Sequence, residues 1–270
     1  MRSPRTIWKN DFTSENIPNW ICPHCSLGIL EAGKTDFNII ETEASKRAKK
    51  EVEWEPEWIN GNFTGILKCS SNKCAEMTIV CGEMSVAYGI AYDEMGNQEY
   101  PYSEELSPLL FVPALKIIEL DANYPEIIET AIIESFKLFW IDSSSCCNKI
   151  RIVIELIMND QKIPKITTSG KKRRKYSLHE RIELFGKKSK DESEQLMAIK
   201  WIGNSGSHAD EKNTKDDALD AYEILEHVLS KLYHSTTHIV KLSKSINRRK
   251  KPNSIKRKKK GIWGTPNKKK

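Results

Sequence analysis

The stretch from residue 142 to residue 158, DSSSCCNKIRIVIELIM, has the repeat of an amphipathic α-helix. Its apolar side chains recur every three or four positions, which places them on one face of a helix. This stripe consists of Cys146, Ile150, Val153, Ile154, Ile157 and Met158. The polar residues Asp142 to Ser145 favour an N-cap in front of it. The stretch therefore predicts a helix that buries one face, and hence an α-helical part of the chain.

Further helices are predicted on both sides of this one. The preceding helix starts at Pro125, a residue that suits the first helical position. Its apolar face is formed by Ile128, Ala131, Ile132, Ser135, Phe136 and Phe139. Downstream, Ser177 caps a short helix, a fourth helix begins near Asp191, and Thr214 starts the last long helix. The inward positions of the short and the last helix are Leu178, Ile182, Phe185, Ala218, Ala221, Tyr222, Leu225, Val228, Leu229 and Leu232.

The first 120 residues have short β-branched runs in place of a helical period. These runs lie at residues 66–67, 77–80, 86–92 and 107–120, the last one interrupted by Pro113. A charged insertion, residues 43–62, separates the first run from the sequence before it and is predicted to be a surface excursion. The pattern indicates a β-rich N-terminal part.

Seven cysteines are present, and four of them form two close pairs, Cys22-x2-Cys25 and Cys69-x4-Cys74. Two thiolates a few residues apart can bind one ion from a turn, so the pairs predict a four-cysteine zinc site. Such a site leaves no open coordination position and is expected to be structural. Two alternatives remain: His24 replaces one cysteine, or the cysteines are buried without metal. Apolar packing is predicted for the other three, Cys81, Cys146 and Cys147.

Charge is distributed unevenly along the chain, whose net charge is +6. Residues 241–270 hold 14 Lys and Arg and no Asp or Glu, so residues 1–240 hold 29 basic and 37 acidic residues, a net of −8. A segment of this composition cannot bury enough apolar surface to fold alone, and it attracts polyanions. A solubilising or incidental tail is the alternative.

Two clusters of basic residues are the predicted nucleic-acid contacts. The first is the KKRRK segment ahead of the short helix, and the second is the C-terminal tail. Their members are Lys171, Lys172, Arg173, Arg174, Lys175, Arg248, Arg249, Lys250, Lys251, Lys256, Arg257, Lys258, Lys259 and Lys260. Contacts of this kind bind phosphates of RNA or DNA without reading sequence.

The predicted architecture is α+β with three parts. A small β-rich, zinc-ribbon-like module spans residues 1–120, an all-α helical bundle spans residues 121–240, and a disordered basic tail spans residues 241–270. No segment has the roughly 20 apolar residues that cross a bilayer, and the N-terminus lacks an apolar signal core. We therefore expect a cytoplasmic protein without membrane association, in which a disulfide framework is disfavoured.

The stretch AIKWIGNSGSHAD, residues 198–210, predicts a helix that runs into a glycine-rich turn. Lys200, Asn204 and His208 are spaced by four and would share one face of a continuous helix. Gly203 and Gly206 favour a helix end instead. Under that interpretation Asn204 or His208 caps loose carbonyls, and under the other the three polar residues form a small site.

Arg151 and Glu155 are also four apart, on the helix quoted first. They form either a simple surface ion pair or a support for the turn around His208.

Residues 125–233 resemble the bacterial family called domain of unknown function 4145. The resemblance lies in Arg151 followed by Glu155, then Leu178, then Gly203-Asn204-x3-His208 and a long closing helix. A preceding pair of cysteine knuckles is common in such proteins. The family is considered similar to the HEPN superfamily, so the resemblance implies an HEPN-like helical bundle.

HEPN domains include metal-independent ribonucleases of toxin–antitoxin and antiviral systems, which typically act as homodimers. The resemblance implies His208 as the group that exchanges protons, since a His titrates near neutral pH. A cation would stabilise charge on the phosphate. The ribonucleases carry Arg where this chain has Gly203, so Lys200 or Arg151 would have to supply the cation, with Asn204 beside them.

Three functional hypotheses follow. The first is a non-catalytic nucleic-acid-associated or partner-docking module in a bacterial defence or toxin–antitoxin context, as a homodimer or with a protein partner. The second is a metal-independent endoribonuclease using His208. The third is a structural interaction protein with an incidental tail. Whether the protein is an enzyme stays open. Other enzyme classes are disfavoured because the sequence has no phosphate-binding Gly-rich loop, no Gly-x-Ser-x-Gly elbow and no His-Glu-x2-His motif.

Overall fold

The computed structural model of the 270-residue chain is described at residues 4–89, 91–92, 98–99, 101–169, 172–205, 212–234 and 237–249. The chain divides into two compact units, residues 1–233 and residues 234–270. The first unit is mixed α+β, with an antiparallel sheet in its N-terminal part and helices in its C-terminal part. No helix in the described part of the chain is long and apolar enough to cross a membrane.

A curled antiparallel sheet dominates the N-terminal part. The elements here are, in chain order, α1 (Thr6–Lys9), β1 (Leu30–Glu31), β2 (Phe37–Glu41), α2 (Glu43–Ala48), β3 (Asn60–Cys69), β4 (Met77–Tyr88), β5 (Ala91–Tyr92), β6 (Gln98–Glu99) and β7 (Tyr102–Val112). Strands β1, β3, β4 and β7 are neighbours in that order, and β2 pairs with the other end of the β3 edge. Burial alternates residue by residue along β3, so one face of the sheet packs on the core.

The C-terminal part of the first unit contains five helices and a hairpin among its described residues. They are, in chain order, α3 (Glu126–Leu138), α4 (Ser143–Asp160), β8 (Ile166–Ser169), β9 (Lys172–Lys175), α5 (Leu178–Gly186), α6 (Lys190–Ser205) and α7 (Lys215–Tyr233). The predicted stripes of α3, α4 and α7 are confirmed as buried, with Leu232 only half-buried at the end of α7. Residues 172–175 of the KKRRK segment form strand β9 of the hairpin.

Polar caps fix where these helices begin. The side chain of Asp142 accepts a hydrogen bond from the Ser144 backbone N–H ahead of α4, as predicted. Ser177 and Glu180 form a reciprocal capping box at α5, because each side chain accepts from the backbone N–H of the other. Thr214 caps α7 in the same way. Pro125 lies one residue before α3 and not at its first helical position.

One hydrophobic core joins the sheet to the helices. Trp20 is fully buried, and its ring centroid lies 4.9 Å from that of Phe111 on β7 and 6.1 Å from that of Trp140 after α3. Trp8 of α1 contacts Phe139 edge-on, at 6.3 Å between centroids. Edge-to-face pairs of this kind add to the stabilisation from burial. The β-rich part and the helical part therefore pack as one compact unit.

The second unit contains α8 (Thr237–Arg249). Composition predicts disorder from residue 241 onward, whereas residues 241–249 are helical in the structure. Neither Gly nor Pro interrupts this segment, and Leu242 and Ile246 repeat at the spacing of one helical face. Residues 250–270 of the predicted tail lie outside the described residues.

Candidate functional site

Four cysteines of the N-terminal part converge on one point. The sulfur atoms of Cys22, Cys25, Cys69 and Cys74 all lie within 4.8 Å of one another. Cys22 Sγ is 3.9 Å from Cys74 Sγ, and Cys25 Sγ is 3.7 Å from Cys69 Sγ. Four sulfurs placed tetrahedrally around one ion at about 2.3 Å would be about 3.8 Å apart. The cluster can thus hold a metal ion, and the residues are those that the spacing predicts.

Each cysteine pair lies on a tight turn. Ser26 follows the first pair with a φ of 56°, and Ala75 follows the second pair with a φ of 51°. The Ser26 N–H donates to the Cys22 carbonyl at 2.9 Å, which closes the first turn. Pairing of β1 with β3 sets Leu30 opposite Cys69 and thereby brings the two turns together.

Gly28 gives the second turn room to approach the first. A Cβ added to Gly28 would lie 2.6 Å from Cys69 Sγ, closer than any side chain can come. The Gly28 N–H instead donates to Cys25 Sγ at 3.5 Å, and the Ser71 N–H donates to Cys69 Sγ at 3.4 Å. Backbone donors of this kind favour a thiolate over a thiol.

The thiols of the cluster have opposite tendencies to ionise. Backbone N–H groups of Gly28 and Leu27 lower the pKa of Cys25 to about 6. Burial raises the pKa of Cys69 to about 12. A cation at the centre of the four sulfurs would favour the thiolate form of them all, because metal ligation requires deprotonated cysteine.

His24 and the three cysteines predicted to lie in apolar packing are outside the cluster. His24 Nε2 is 3.3 Å from the Met77 carbonyl, and the described cluster consists of the four cysteines without His24. Cys146 and Cys147 are fully buried in α4, whereas Cys81 on β4 is half-buried.

The helical site differs from its prediction at Gly203. This glycine is helical and α6 continues to Ser205, so Gly203 does not end the helix. A Cβ on Gly203 would lie 2.7 Å from Arg151 Cβ and 2.9 Å from the Cys147 carbonyl oxygen. The glycine therefore serves a close approach of α6 to α4. His208 and Gly206 lie outside the described residues, which resume at residue 212.

Two cations meet where α4 and α6 touch. Arg151 Nη1 is 2.9 Å from Glu155 Oε1, which is the predicted ion pair, and Arg151 Nε donates to Asn148 Oδ1 at 3.2 Å. Lys200 is only 8% exposed, and its ammonium lies 3.4 Å from the centroid of the Trp201 ring. Within the described part of the chain, no carboxylate forms an ion pair with Lys200. Burial lowers the pKa of Lys200, and the charge of Arg151 lowers it further.

Asn204 is half-buried one turn beyond Lys200 on the same helix. The structure therefore brings together Arg151 and Lys200, with Asn204 on the adjoining turn of α6.

Two aromatic rings near Lys200 were not predicted from the sequence as part of this site. Trp201 is 55% exposed, and its ring centroid is 5.8 Å from that of His179 on α5. His179 Nε2 is 3.4 Å from Glu183 Oε1. The sequence did contain an indication of this, because Trp201 does not lie on the face of α6 that buries Leu196 and Ile199.

The predicted nucleic-acid contacts are partly described. Arg173 and Lys175 are exposed on β9, and Arg248 is exposed on α8. Arg174 Nη2 is 2.6 Å from Glu180 Oε1, and Arg174 and the Ser177 backbone N–H lower the pKa of Glu180 to about 2. The backbones of Lys172 and Arg249 lie in β9 and α8. Outside the described residues lie Lys171, Lys250, Lys251, Lys256, Arg257, Lys258, Lys259 and Lys260.

Two family models match the chain. Residues 10–111 match a family described as Domain of unknown function (DUF8608), a segment that contains the sheet and the cysteine cluster. Residues 133–258 match a family described as Domain of unknown function (DUF4145), which is the family that residues 125–233 were predicted to resemble. No curated protein and no solved structure matches the chain. The segment that matches DUF8608 thus contains the cysteine cluster, and the segment that matches DUF4145 contains the helical site.

Proposed function

We propose that the four-cysteine cluster is a structural zinc site in a zinc-ribbon-like module. Support comes from the all-sulfur donor set, the sulfur separations of 3.7 and 3.9 Å, and the backbone donors to Cys25 and Cys69. Zinc is the usual ion of closed tetrahedral thiolate sites, where it contributes to folding and not to catalysis. Its role here is to hold the turn at Cys22 against the end of β3.

Metal analysis of the purified full chain tests the zinc proposal. We expect about one zinc per chain in the parent protein. Cys25→Ser should lose the metal, whereas the matched control Cys81→Ser, outside the cluster, should keep it. A parent chain that is purified without metal, and whose melting temperature does not change when zinc is added, would contradict the proposal.

We propose that the protein as a whole is a non-catalytic nucleic-acid-binding module in a bacterial defence or toxin–antitoxin context, acting as a homodimer or with a protein partner. The observation that carries the binding proposal is which basic side chains of the protein form ion pairs with carboxylates and which do not. Near the N-terminus, Lys34, Lys46 and Lys49 each form an ion pair with a glutamate. On α8, by contrast, Lys241, Lys244 and Arg248 are exposed, and no Asp or Glu occurs anywhere from residue 234 to residue 270.

Cations on a segment that contains no carboxylate of its own are available for phosphates. Each phosphate contact releases counterions, so affinity is strong at low salt and falls steeply as salt rises. Such contacts do not read sequence, which fits RNA or DNA. The context in defence or toxin–antitoxin systems and the HEPN-like character of the bundle are supported by the family resemblance of residues 133–258 alone.

Salt-dependent binding tests the proposal. Binding of labelled RNA and DNA to the full chain is compared with binding to a chain that ends at residue 236, which lacks α8 and everything after it. We expect the shortened chain to bind more weakly and with a shallower dependence on salt. The control is Lys34→Ala, Lys46→Ala and Lys49→Ala together, which removes three paired cations and should leave binding unchanged. Unchanged affinity and salt dependence in the shortened chain would refute the proposed role of the tail.

A metal-independent endoribonuclease is the second candidate. The observation in its favour is that Arg151 of α4 is close enough to Lys200 of α6 for its charge to lower the pKa of Lys200, and that α6 ends three residues before His208 in the sequence. The test is cleavage of an RNA panel by the parent and by His208→Ala, with enough EDTA to remove free metal and with the zinc content checked. Cleavage by the parent alone, leaving 2′,3′-cyclic phosphate ends, would support the ribonuclease. No cleavage, together with intact salt-dependent binding, would support the binding module.

A further inference from the structure

We propose that the outer face of the N-terminal sheet is the surface through which two copies of this chain form a symmetric dimer. The inference rests on the homodimer included in the proposed function and names its interface, and it does not require that the protein bind nucleic acid. It depends on exposed apolar side chains of β3, β4 and β7 and on the charges at the two ends of this face.

The two faces of the sheet differ in how far they are covered. On the inner face Phe63, Leu67 and Val80 are at most 2% exposed, because they belong to the core. Successive side chains of a strand point to opposite faces, so the residues between them lie on the outer face. Four large apolar side chains of this outer face are 48% to 54% exposed, namely Ile66, Met77, Ile79 and Val112.

The exposed apolar side chains form a continuous patch. Ile66 is opposite Ile79, and Ile79 is opposite Val112, so these three residues make one row across β3, β4 and β7. In the next row of the same face Cys81 is opposite Leu110, and both are half-buried. Residues opposite each other in an antiparallel sheet lie about 5 Å apart. We call these two rows the outer sheet patch.

The outer sheet patch has a base at one end and an acid at the other. Lys68 is opposite Met77 in the row before the patch, and Glu83 lies in the row after it. Both charged residues are exposed, and among the described residues neither forms an ion pair. Glu31 of β1 is opposite Lys68 in the register without pairing to it. The four rows are therefore basic, apolar, apolar and acidic.

This order of rows is self-complementary. A two-fold axis that crosses the strands between the two apolar rows brings the apolar rows of two copies together. The same rotation brings Lys68 of one copy to the end that carries Glu83 of the partner subunit, and it does so twice. Two sheets pack face to face about 10 Å apart, a distance that lysine and glutamate side chains can bridge together. The charge pattern thus favours a second copy of this chain as the occupant.

Polar residues surround the patch, as in other protein interfaces. Asn62, Thr64 and Ser85 are exposed on the same face and would form the rim of the contact. An apolar centre with a polar rim is the usual composition of a specific interface. Because the apolar centre is only two rows deep, we expect a reversible dimer that dissociates in the micromolar range.

Sedimentation equilibrium of the full chain tests the interface, without nucleic acid and with a reductant that prevents disulfides between Cys81 residues. Ile79→Lys should raise the dissociation constant by on the order of a hundredfold, because each copy would bury an unpaired charge. The matched control Ile141→Lys places the same charge on an isoleucine after α3 that is 58% exposed, and it should leave the equilibrium unchanged.

A charge exchange tests the symmetry. Lys68→Glu alone and Glu83→Lys alone should each weaken the dimer by on the order of tenfold, because like charges then meet at both ends. An equimolar mixture of the two variants, one of them labelled, should form a mixed dimer with the parental affinity, since each end again pairs a lysine with a glutamate. Circular dichroism checks that all variants are folded.

Three outcomes would overturn the proposal. The first is a parent chain that stays monomeric up to about 100 µM. The second is a dimer that Ile79→Lys leaves intact, and the third is a mixture of the charge variants that associates no better than either variant alone. Each result is obtained without added nucleic acid and with α8 present, so the dimer interface and the nucleic-acid function can fail separately.

Discussion

Gly203 of α6 lies against Arg151 of α4 so closely that a Cβ on the glycine would fall 2.7 Å from the Arg151 Cβ. The Cys147 carbonyl oxygen, 2.9 Å from the same position, belongs to the backbone of α4 and cannot turn aside. The two helices are therefore in contact through their main chains at this point. That contact brings α4 and α6 close enough for the charge of Arg151 to add to burial in lowering the pKa of Lys200.

Gly203→Ala should destabilise the protein. Alanine favours a helix over glycine by about 1 kcal/mol, whereas overpacking at a rigid contact costs about 1–3 kcal/mol. Because the Cys147 carbonyl oxygen belongs to the backbone and cannot move aside, the cost of overpacking should exceed the gain in helix propensity. Urea unfolding of the full chain, at matched metal content, measures the difference. Gly33→Ala is the control, since its nearest atom would be 3.6 Å away, and its effect should stay within about 0.5 kcal/mol. An alanine variant as stable as the parent would show that α6 can move away from α4.

Gly28→Ala should weaken metal binding without removing a ligand. The added methyl group would lie 2.6 Å from Cys69 Sγ and would push the second turn away from the first. We expect the metal to be lost to a competing chelator about tenfold more easily, which corresponds to about 1.4 kcal/mol. A colorimetric competition assay measures this. Equal resistance to the chelator in parent and variant would mean that the two turns can move apart slightly without weakening metal binding.

Glu180→Gln should make stability depend less on pH. Because Arg174 and the Ser177 backbone N–H hold the pKa of Glu180 at about 2, below its usual value of about 4.3, the ionised group stabilises the folded state. That contribution is fully present above about pH 4.3 and is lost as the pH falls through about 2. The stability difference between parent and variant, measured by urea unfolding, should thus be largest at neutral pH and shrink toward pH 3. A difference that stays constant over this range would contradict the prediction.

Tyr222→Phe should cost about 1–2 kcal/mol of stability. The Tyr222 hydroxyl donates to Ser135 Oγ at 2.7 Å and lies 3.2 Å from Cys146 Sγ, all in a fully buried region. Removing the hydroxyl leaves those groups without one of their partners. Tyr176→Phe, on the half-buried residue after β9, is the control. Unfolding transitions of equal midpoint for parent and Tyr222→Phe would show that the network contributes nothing.

Removing Arg173 and Lys175, the cations of β9 that form no ion pair with the described residues, should make nucleic-acid binding less sensitive to salt. Arg173→Ala with Lys175→Ala deletes up to two phosphate contacts, each worth a slope of about 0.7 to 0.9 in the log–log dependence on salt. Fluorescence anisotropy over a salt series measures the slope. Lys34→Ala with Lys46→Ala, where both lysines already pair with glutamates, should keep the parental slope. A parental slope in the β9 variant would remove this strand from the binding surface.

The parts of the structure that follow from local chemistry were predictable. The spacing of Cys22, Cys25, Cys69 and Cys74 is enough to select the cluster, because two close pairs of cysteines are typical of a metal site. The caps at Asp142 and Ser177 follow from their side chains, which bond to backbone N–H groups a few residues ahead. The stripes of α3, α4 and α7 follow from periodicity.

Long-range packing explains what the sequence did not show. A glycine can end a helix or allow two helices to come into close contact. Only the position of Arg151, which is not known from the sequence, shows that Gly203 serves the close contact. The α8 segment contains enough cations to predict disorder, yet its uninterrupted helical repeat allows a helix. Trp201 was overlooked because hydrophobic patterning treats an aromatic residue as core unless its neighbours are known to exclude it.

The indole rings of Trp20 and Trp140 meet across the gap between the two family matches, which leaves residues 112–132 unassigned. Family boundaries describe units that are inherited together, whereas the buried rings define a unit that must melt together. A chain cut between the matches would expose half of a shared interior on each fragment. Loss of the metal near Cys69 should accordingly lower the melting temperature of the helices as well, in a single cooperative transition.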